Sequence, residues 1–268
     1  MPALLYEVRD HIAYLTINRP KVHNAMNPEV IVRLAEAWQR VAEDDHVRAA
    51  IITGAGNKAF SAGADLGRLI PLFTGARQPE DEWDYKLKDN PKLGAIALMR
   101  GWSLYKPVIA AVNGFCIAGG LELMEATDLR VATASASFGL QEVKWAIIPA
   151  GGSLVRLPRQ IPYCKAMEIL LTGNRIAADE AWRLGLINYV VGQEQVMAKA
   201  EELARTIADN GPLAVRKIKE AVERCSGVPF EEGFKIENEV QRFIARTEDA
   251  REGPRAFMEK RKPNYKGC

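Results

Sequence analysis

Three features of the 268-residue sequence predict an α/β protein. Segments with strand character alternate with helical ones through residues 1–192, two strands open the chain back to back, and residues 193–268 show helical patterning alone. The early hairpin and the closely spaced later strands argue against a regular doubly wound sheet.

In order, "LLYEVRD" alternates apolar and polar residues, a turn falls at Asp10 and His11, and "IAYLTIN" alternates again. Together they predict a hairpin. "NRPKVHNAMNPEV" is a Pro- and Asn-rich loop in which Asn27 caps a helix and Pro28 takes its first position. That helix, "PEVIVRLAEAWQRVAEDD", turns Val30, Leu34, Ala37, Trp38 and Val41 onto one core-facing side. "VRAAIITG", Val47 to Gly54, is a buried strand. A helical segment from about Asn90 to Leu104 leads to the strand "KPVIAAV", and "DLRVAT" and "INYVV" are further strands with helices between them. From about Gln193 the chain is helical, with a break expected at Gly253 and Pro254. This region offers Phe234, Ile236, Val240, Phe243 and Phe257 either to its own core or to a neighbouring subunit. No repeat or low-complexity tract is visible in the sequence.

Composition narrows the function. Hydrophobic residues make up 48% of the chain, enough for one domain with an appendage or for two small ones. Thirty-six basic residues against 34 acidic leave a net charge of +2, which argues against a nucleic-acid partner or an anionic membrane; only "EKRKPNYK" is locally basic. Cys116, Cys164, Cys225 and Cys268 form no CxxC pair, so neither zinc nor a redox dithiol is indicated and a reducing compartment fits. No signal-peptide pattern and no apolar run of roughly 18 residues is present, which leads us to expect a cytoplasmic or matrix protein. His11, His23 and His46 stand in no ligand or triad context.

One Gly-rich turn suggests a nucleotide. "GAGNKA", Gly54 to Ala59, follows a strand and matches the G-x-G-x-x-A fingerprint of dinucleotide binding. The continuation "FSAGAD" breaks the helix that this fingerprint needs, and "TGARQPEDEWD" supplies no second strand, so a nicotinamide dehydrogenase is disfavoured. Two other turns suit a developing oxyanion. In "FSAGADL" and "CIAGGLEL" small residues allow a close backbone approach and then start a helix, whose free N–H groups are oriented donors. Glu122 falls just after Gly119 and Gly120 among apolar neighbours, and Glu142 precedes an apolar run. Two such carboxyl groups suit general acid–base work on water. Glu125, three residues past Glu122, reads as a salt-bridge partner for an arginine such as Arg130, and Asp128 as a cap at a strand entry.

The ordered motifs "TINRPKVHNAM", "AFSAGADL", "KPVIAAVNGFCIAGGLEL", "DLRVA", "FGLQEVKWAIIPAGG", "LTGNRI", "AADEAWRLGLINYVV" and "GPRAFMEKRKP" run the length of the chain. With them the chain resembles the crotonase, or enoyl-CoA hydratase and isomerase, superfamily. The resemblance implies a spiral of ββα units over residues 1–192 and a C-terminal helical oligomerisation region over 193–268, building homotrimers or homohexamers. It implies an acyl-CoA substrate, with coenzyme A as part of that substrate, and no separate cofactor or metal. Carried onto this sequence, the oxyanion donors are the N–H groups of Ala64 and Gly119. Glu122 activates water for attack at the β-carbon, and Glu142 exchanges the proton at the α-carbon. Family members with isomerase or hydrolase activity commonly lack one of this pair, so both glutamates favour a hydro-lyase.

The resemblance further implies that Lys21, Val22, Ala62, Asp65 and Leu66 hold the CoA moiety, with Phe257 and Lys260 approaching from the C-terminal helix. The segment Ile70 to Leu104, including Trp83, Tyr85, Met99 and Trp102, is expected to line the acyl pocket. The chain departs from the family pattern at Ala118, often a glycine, and at Lys144 and Trp145, where small residues are common. "EVKWAIIPAGGS" and "REGPRAFMEKRKPN" resemble members that take bulky or sterol side-chain acyl groups. Isomerase or thioester hydrolase chemistry and a catalytically idle CoA-binding scaffold are the competing expectations.

Overall fold

The structure, a computed structural model, describes residues 1–268. Strands β1 (Leu4–Arg9) and β2 (Ile12–Ile17) form the expected antiparallel hairpin, with Asp10 and His11 both in the left-handed region. Helix α1 (Pro28–Glu43) is capped by Asn27, whose side chain accepts from Val30 N at 3.0 Å. Its predicted face is buried, and Trp38 donates through Nε1 to Ala97 O at 3.1 Å.

The chain then repeats one pattern three times. β3 (Ala49–Gly54) is followed by β4 (Ala59–Ser61) and helices α2 (Leu69–Thr74), α3 (Glu82–Asp89) and α4 (Lys92–Ala97). Next come β5 (Val108–Val112), β6 (Phe115–Ile117) and α5 (Gly119–Glu125), then β7 (Leu129–Thr133), β8 (Ser137–Gly139), α6 (Ser153–Gln160) and α7 (Tyr163–Thr172). β9 (Ile176–Ala177), α8 (Ala178–Arg183) and β10 (Tyr189–Val191) close the spiral. The first strand of each unit joins a six-stranded sheet, β1-β2-β3-β5-β7-β10, and the second joins a four-stranded sheet, β4-β6-β8-β9. β4, β6 and β8 are mutually parallel, so their C-terminal ends, and the turns that follow them, lie along one edge. This ββα spiral is the predicted fold class. The repeat is one of topology, which explains why no sequence repeat betrays it.

Helices α9 (Val196–Ala208), α10 (Pro212–Cys225), α11 (Phe230–Ile244) and α12 (Glu248–Met258) complete the chain without strands. α9 lays Val196, Ala200 and Ala204 on Ile51, Ile109 and Val131 of the six-stranded sheet. Three local expectations need correction. α12 runs through Gly253 and Pro254 without a break. Contacts outside the helical ladder compensate for the missing N–H: Asp249 accepts from Lys266 N and Gly267 N at 2.8 Å each, and Glu252 pairs with Arg261 at 2.6 Å. The helix expected over Asn90–Leu104 shrinks to α4, because Met99 and Gly101 take positive φ values. Ile236 is buried, while Phe234, Phe243 and Phe257 remain exposed. No helix directly follows Ala64: Asp65 Oδ1 accepts from Gly67 N and Arg68 N, and α2 starts only at Leu69.

Candidate active site

The parallel edge of the small sheet determines what meets. After β4 the chain folds back on Met26, with Met26 N donating to Gly63 O (2.7 Å) and Asp65 N to Met26 O (2.9 Å). Those bonds flank Ala64 and leave its own N–H without a protein acceptor. After β6, Ala118 donates to Gly139 O at 2.8 Å and accepts from Glu122 N at 3.0 Å, while Gly119 N, at the first position of α5, is likewise unpaired. The two turns touch: a methyl group on Gly63 would sit 2.8 Å from Gly119 N, and one on Gly119 would sit 3.5 Å from Ala64 N. Gly63, at φ +91°, makes this approach possible. Ala118 adopts φ 52°, ψ −129°, a conformation that strains an L-residue.

Glu122 sits one helical turn into α5 and is 4% exposed. Its Oε1 accepts from Gly151 N at 2.6 Å and from Ser153 N at 3.3 Å, both at the start of α6. Burial raises its pKa, while the backbone N–H groups of Ser153, Gly151 and Gly152, and then the Arg156 guanidinium, oppose the rise. A methyl group on Gly151 would lie 2.6 Å from Glu122 Oε2 and 2.5 Å from Leu98 Cδ1, so a larger residue there would push these side-chain ends aside. Sequence reading missed these donors, although "AGGS" ahead of an amphipathic helix was a usable signal.

Glu142 opens a 3-10 turn, Glu142–Trp145, just past β8, and is 8% exposed. Its Oε2 meets no hydrogen-bond partner. Burial pushes its pKa up to about 7, helped by the nearby Glu122 charge and opposed by its own backbone N–H. Glu122, Glu142, Ala64 and Gly119 all line one cavity of about 690 Å³. Its apolar walls come from Leu66, Leu69, Ile70, Phe73 and Leu98 on one side and Trp145, Ile147 and Ile148 on the other.

Of the residues expected at the CoA moiety, Ala62 and Leu66 line this cavity; Lys21, Val22, Asp65, Phe257 and Lys260 do not. Asp65 is engaged with Arg19 at 2.8 Å, and in the basic tail Arg261 is paired with Glu252 and Glu259. Within Ile70–Leu104, Ile70, Phe73 and Leu98 face the cavity, whereas Trp83, Tyr85, Met99 and Trp102 do not. Trp83 is half-buried against the main core, with the Arg33 and Lys86 cations over its ring. Glu125 forms no salt bridge with Arg130, whose Nη atoms instead donate to Leu186 O, Glu125 O and Thr127 O. Asp128 does cap a strand, accepting from Val108 N at 2.7 Å. The "GAGNKA" turn runs into β4 instead of a helix, which removes the dinucleotide fingerprint.

The model of the enoyl-CoA hydratase/isomerase family matches residues 7–268. The chain belongs to the enoyl-CoA hydratase/isomerase family. It is 44% identical to the enoyl-CoA hydratase EchA19 of Mycobacterium tuberculosis over 98% of this chain and 96% of that one. Identity to the (E)-benzylidenesuccinyl-CoA hydratase of Thauera aromatica is 39%, with both chains fully covered. Among solved structures, an enoyl-CoA hydratase from Bacillus anthracis superposes with a TM-score of 0.89 at 37% identity, covering 99% of this chain and all of that one. An enoyl-CoA hydratase/isomerase from Mycobacterium abscessus gives 0.88 at 41%, with the same coverage. The chain is therefore a crotonase-family enzyme, and the family acts on acyl-CoA substrates. No helix is long and apolar enough to cross a membrane.

Proposed function

We propose that this enzyme is an enoyl-CoA hydratase, a hydro-lyase that adds water across a 2,3-trans-enoyl thioester to give the 3-hydroxyacyl-CoA. The observation that carries the reading is the pair of buried glutamates, Glu122 and Glu142, facing one cavity beside two unpaired N–H groups. The thioester oxygen accepts from Ala64 N–H and Gly119 N–H. Glu122, held through Oε1 by the Gly151 and Ser153 N–H groups, takes a proton from a water molecule as the water's oxygen bonds the β-carbon. The double-bond electrons move onto the thioester oxygen, where the two N–H groups stabilise the enolate; losing one such donor typically costs about 3 kcal/mol of transition-state stabilisation. Glu142, whose proton is retained to about pH 7, then protonates the α-carbon. An intervening water returns the proton from Glu122 to Glu142. No metal and no redox cofactor enters this scheme.

The apolar walls support a bulky acyl group, and the exposed strip Trp145, Ile147 and Ile148 covers it from the Glu142 side. The CoA portion extends over Ala62 and Leu66, with Lys21, Val22 and Asp65 further out. Residues 193–268 form the oligomerisation region of a trimer or hexamer, in which exposed Phe257 and Lys260 reach CoA. Following the loss of enoyl-thioester absorbance, with product mass, over acyl groups from crotonyl to bulky ones tests the reading. A gain of one water, fastest on bulky acyl groups, is expected. Double-bond migration at constant mass would establish an isomerase, and release of free thiol a hydrolase.

A further inference from the structure

One wall of the cavity has little core of its own to stand on. α2 gives Leu69, Ile70 and Phe73 to that wall, yet of its six residues only Leu69 is fully buried, with Leu72 half-buried beside it. An isolated helix this short is not stable in water, so its position has to come from contacts elsewhere. α3 is better anchored. It seats Leu87 in the main core and packs Trp83 against it, and Asp81 caps its start by accepting from Trp83 N and Asp84 N at 3.0 Å each.

Asp84 joins the two helices. Its side chain is wholly buried on α3, and both oxygens accept from Arg77: Oδ2 from Nη1 at 2.5 Å and Oδ1 from Nη2 at 2.9 Å. Oδ2 also accepts from Glu80 N at 3.0 Å. Arg77 stands just past the end of α2, and its Nη2 reaches back to Arg68 O, at the start of that helix, at 2.8 Å. Its backbone N–H donates to Pro71 O, inside α2, at 3.0 Å. Arg68 Nη2 lies 3.4 Å from Asp84 Oδ2, and the Arg68 guanidinium also pairs with Glu80 and Asp81 at 2.6 and 2.7 Å. Both ends of α2 thus close on one buried carboxylate, carried by a helix that the core fixes. A bidentate arginine–carboxylate pair imposes geometry, and burial makes either partner costly to leave alone. We propose that Asp84, acting through Arg77 and Arg68, sets the position of α2 and so the fit of bulky acyl groups, as a specificity-determining residue remote from the reacting atoms. The inference deepens the enoyl-CoA reading and rests on its placement of the acyl group between α2 and the Trp145 strip. A crotonyl-sized group is held at its thioester by Ala64 and Gly119 and needs little of this wall; a bulky group relies on it.

Saturated acyl-CoAs separate this inference from the reaction, because they have no double bond to hydrate. Calorimetric titration of the full-length protein compares cyclohexylpropanoyl-CoA with butyryl-CoA. D84N is expected to bind the bulky ligand about tenfold more weakly than the parent does, with the butyryl affinity kept within about twofold. R77M is expected to match it. In hydration assays the same loss should fall on KM for the bulky enoyl-CoA and not on kcat, since the wall binds the ground state and the transition state alike. Equal weakening of both ligands, or of neither, would overturn the proposal. A protein that binds both saturated ligands with the expected contrast but hydrates no enoyl-CoA would refute the hydratase reading and leave the role of Asp84 standing. If D84N does not fold, R77K decides the question: it keeps the charge beside Asp84 but cannot also bridge to Arg68 O, so it should show the same selective loss.

Discussion

Glu122 and Glu142 look into one cavity from two different kinds of turn, and the backbone serves them differently. Glu122 is gripped by backbone donors from α6 and sits at a helix start, so its charge is compensated although it is the more buried of the two. Glu142 stands on a 3-10 turn with one oxygen unpartnered, and it keeps a proton to about pH 7. The difference shows that burial alone does not decide the role of a carboxyl group. The supply of N–H donors matters too, and in the proposed scheme it is what makes one of the two side chains the base and the other the acid.

The largest effects should come from removing either member. E122Q and E142Q are each expected to lower kcat for hydration by about 100- to 10,000-fold, measured by loss of enoyl-thioester absorbance. Undiminished turnover by either variant would remove that residue from its role. Next comes G151A, which leaves both carboxyl groups in place but pushes a methyl group against Glu122 and Leu98. Overpacking of this kind costs about 1–3 kcal/mol of stability, and the displaced carboxyl group should lower kcat by up to roughly 100-fold. A variant with parental kcat would show that the grip on Glu122 is unimportant.

The pH dependence sharpens the same contrast. In the proposed scheme Glu142 acts protonated, so kcat/KM should decline as pH rises through about 7, and that limb should vanish from the residual activity of E142Q. The linkage to stability has the matching sign. The Glu142 pKa is raised from 4.5 in the unfolded chain, so its burial costs nothing below pH 4.5 and a growing amount between 4.5 and about 7. E142Q should therefore be more stable than the parent at pH 8, by on the order of 2 kcal/mol in thermal or denaturant unfolding, and equal to it at pH 4. The smallest effect expected is that of A118G. Relief of the positive φ should raise stability by about 1 kcal/mol, with hydration retained, because Gly119 N–H keeps its position.

Much of this was legible in the sequence because local chemistry dictates it. The hairpin follows from alternation around Asp10 and His11, α1 from Asn27, Pro28 and its apolar stripe, and the six-stranded sheet from strands as apolar as "VIAAV". The turns that carry Ala64, Gly119, Glu122 and Glu142 were visible because each follows a strand; the family resemblance singled out the two donors within them, and parallel pairing of β4, β6 and β8 brings those turns together. What escaped depends on partners distant in sequence. The Gly151 and Ser153 donors reach Glu122 across about 30 residues, and the continuity of α12 through Pro254 depends on the tail that folds back on it. Spacing alone also suggested an ion pair for Glu125, but the Arg130 guanidinium faces backbone carbonyls instead. The acyl wall implied by the resemblance holds only in part: Trp83 packs on the core beneath two cations, while the exposed Trp145 lines the cavity.

The central claim is that this pair of glutamates adds water to an enoyl thioester. It is tested most directly by incubating the protein with an enoyl-CoA in oxygen-18-enriched water and weighing the product. The expected product is a 3-hydroxyacyl-CoA with one heavy oxygen at the β-carbon, formed by the parent and at least about 100-fold more slowly by E122Q. An isomerised enoyl-CoA without label, or free CoA with the label in a released acid, would contradict it.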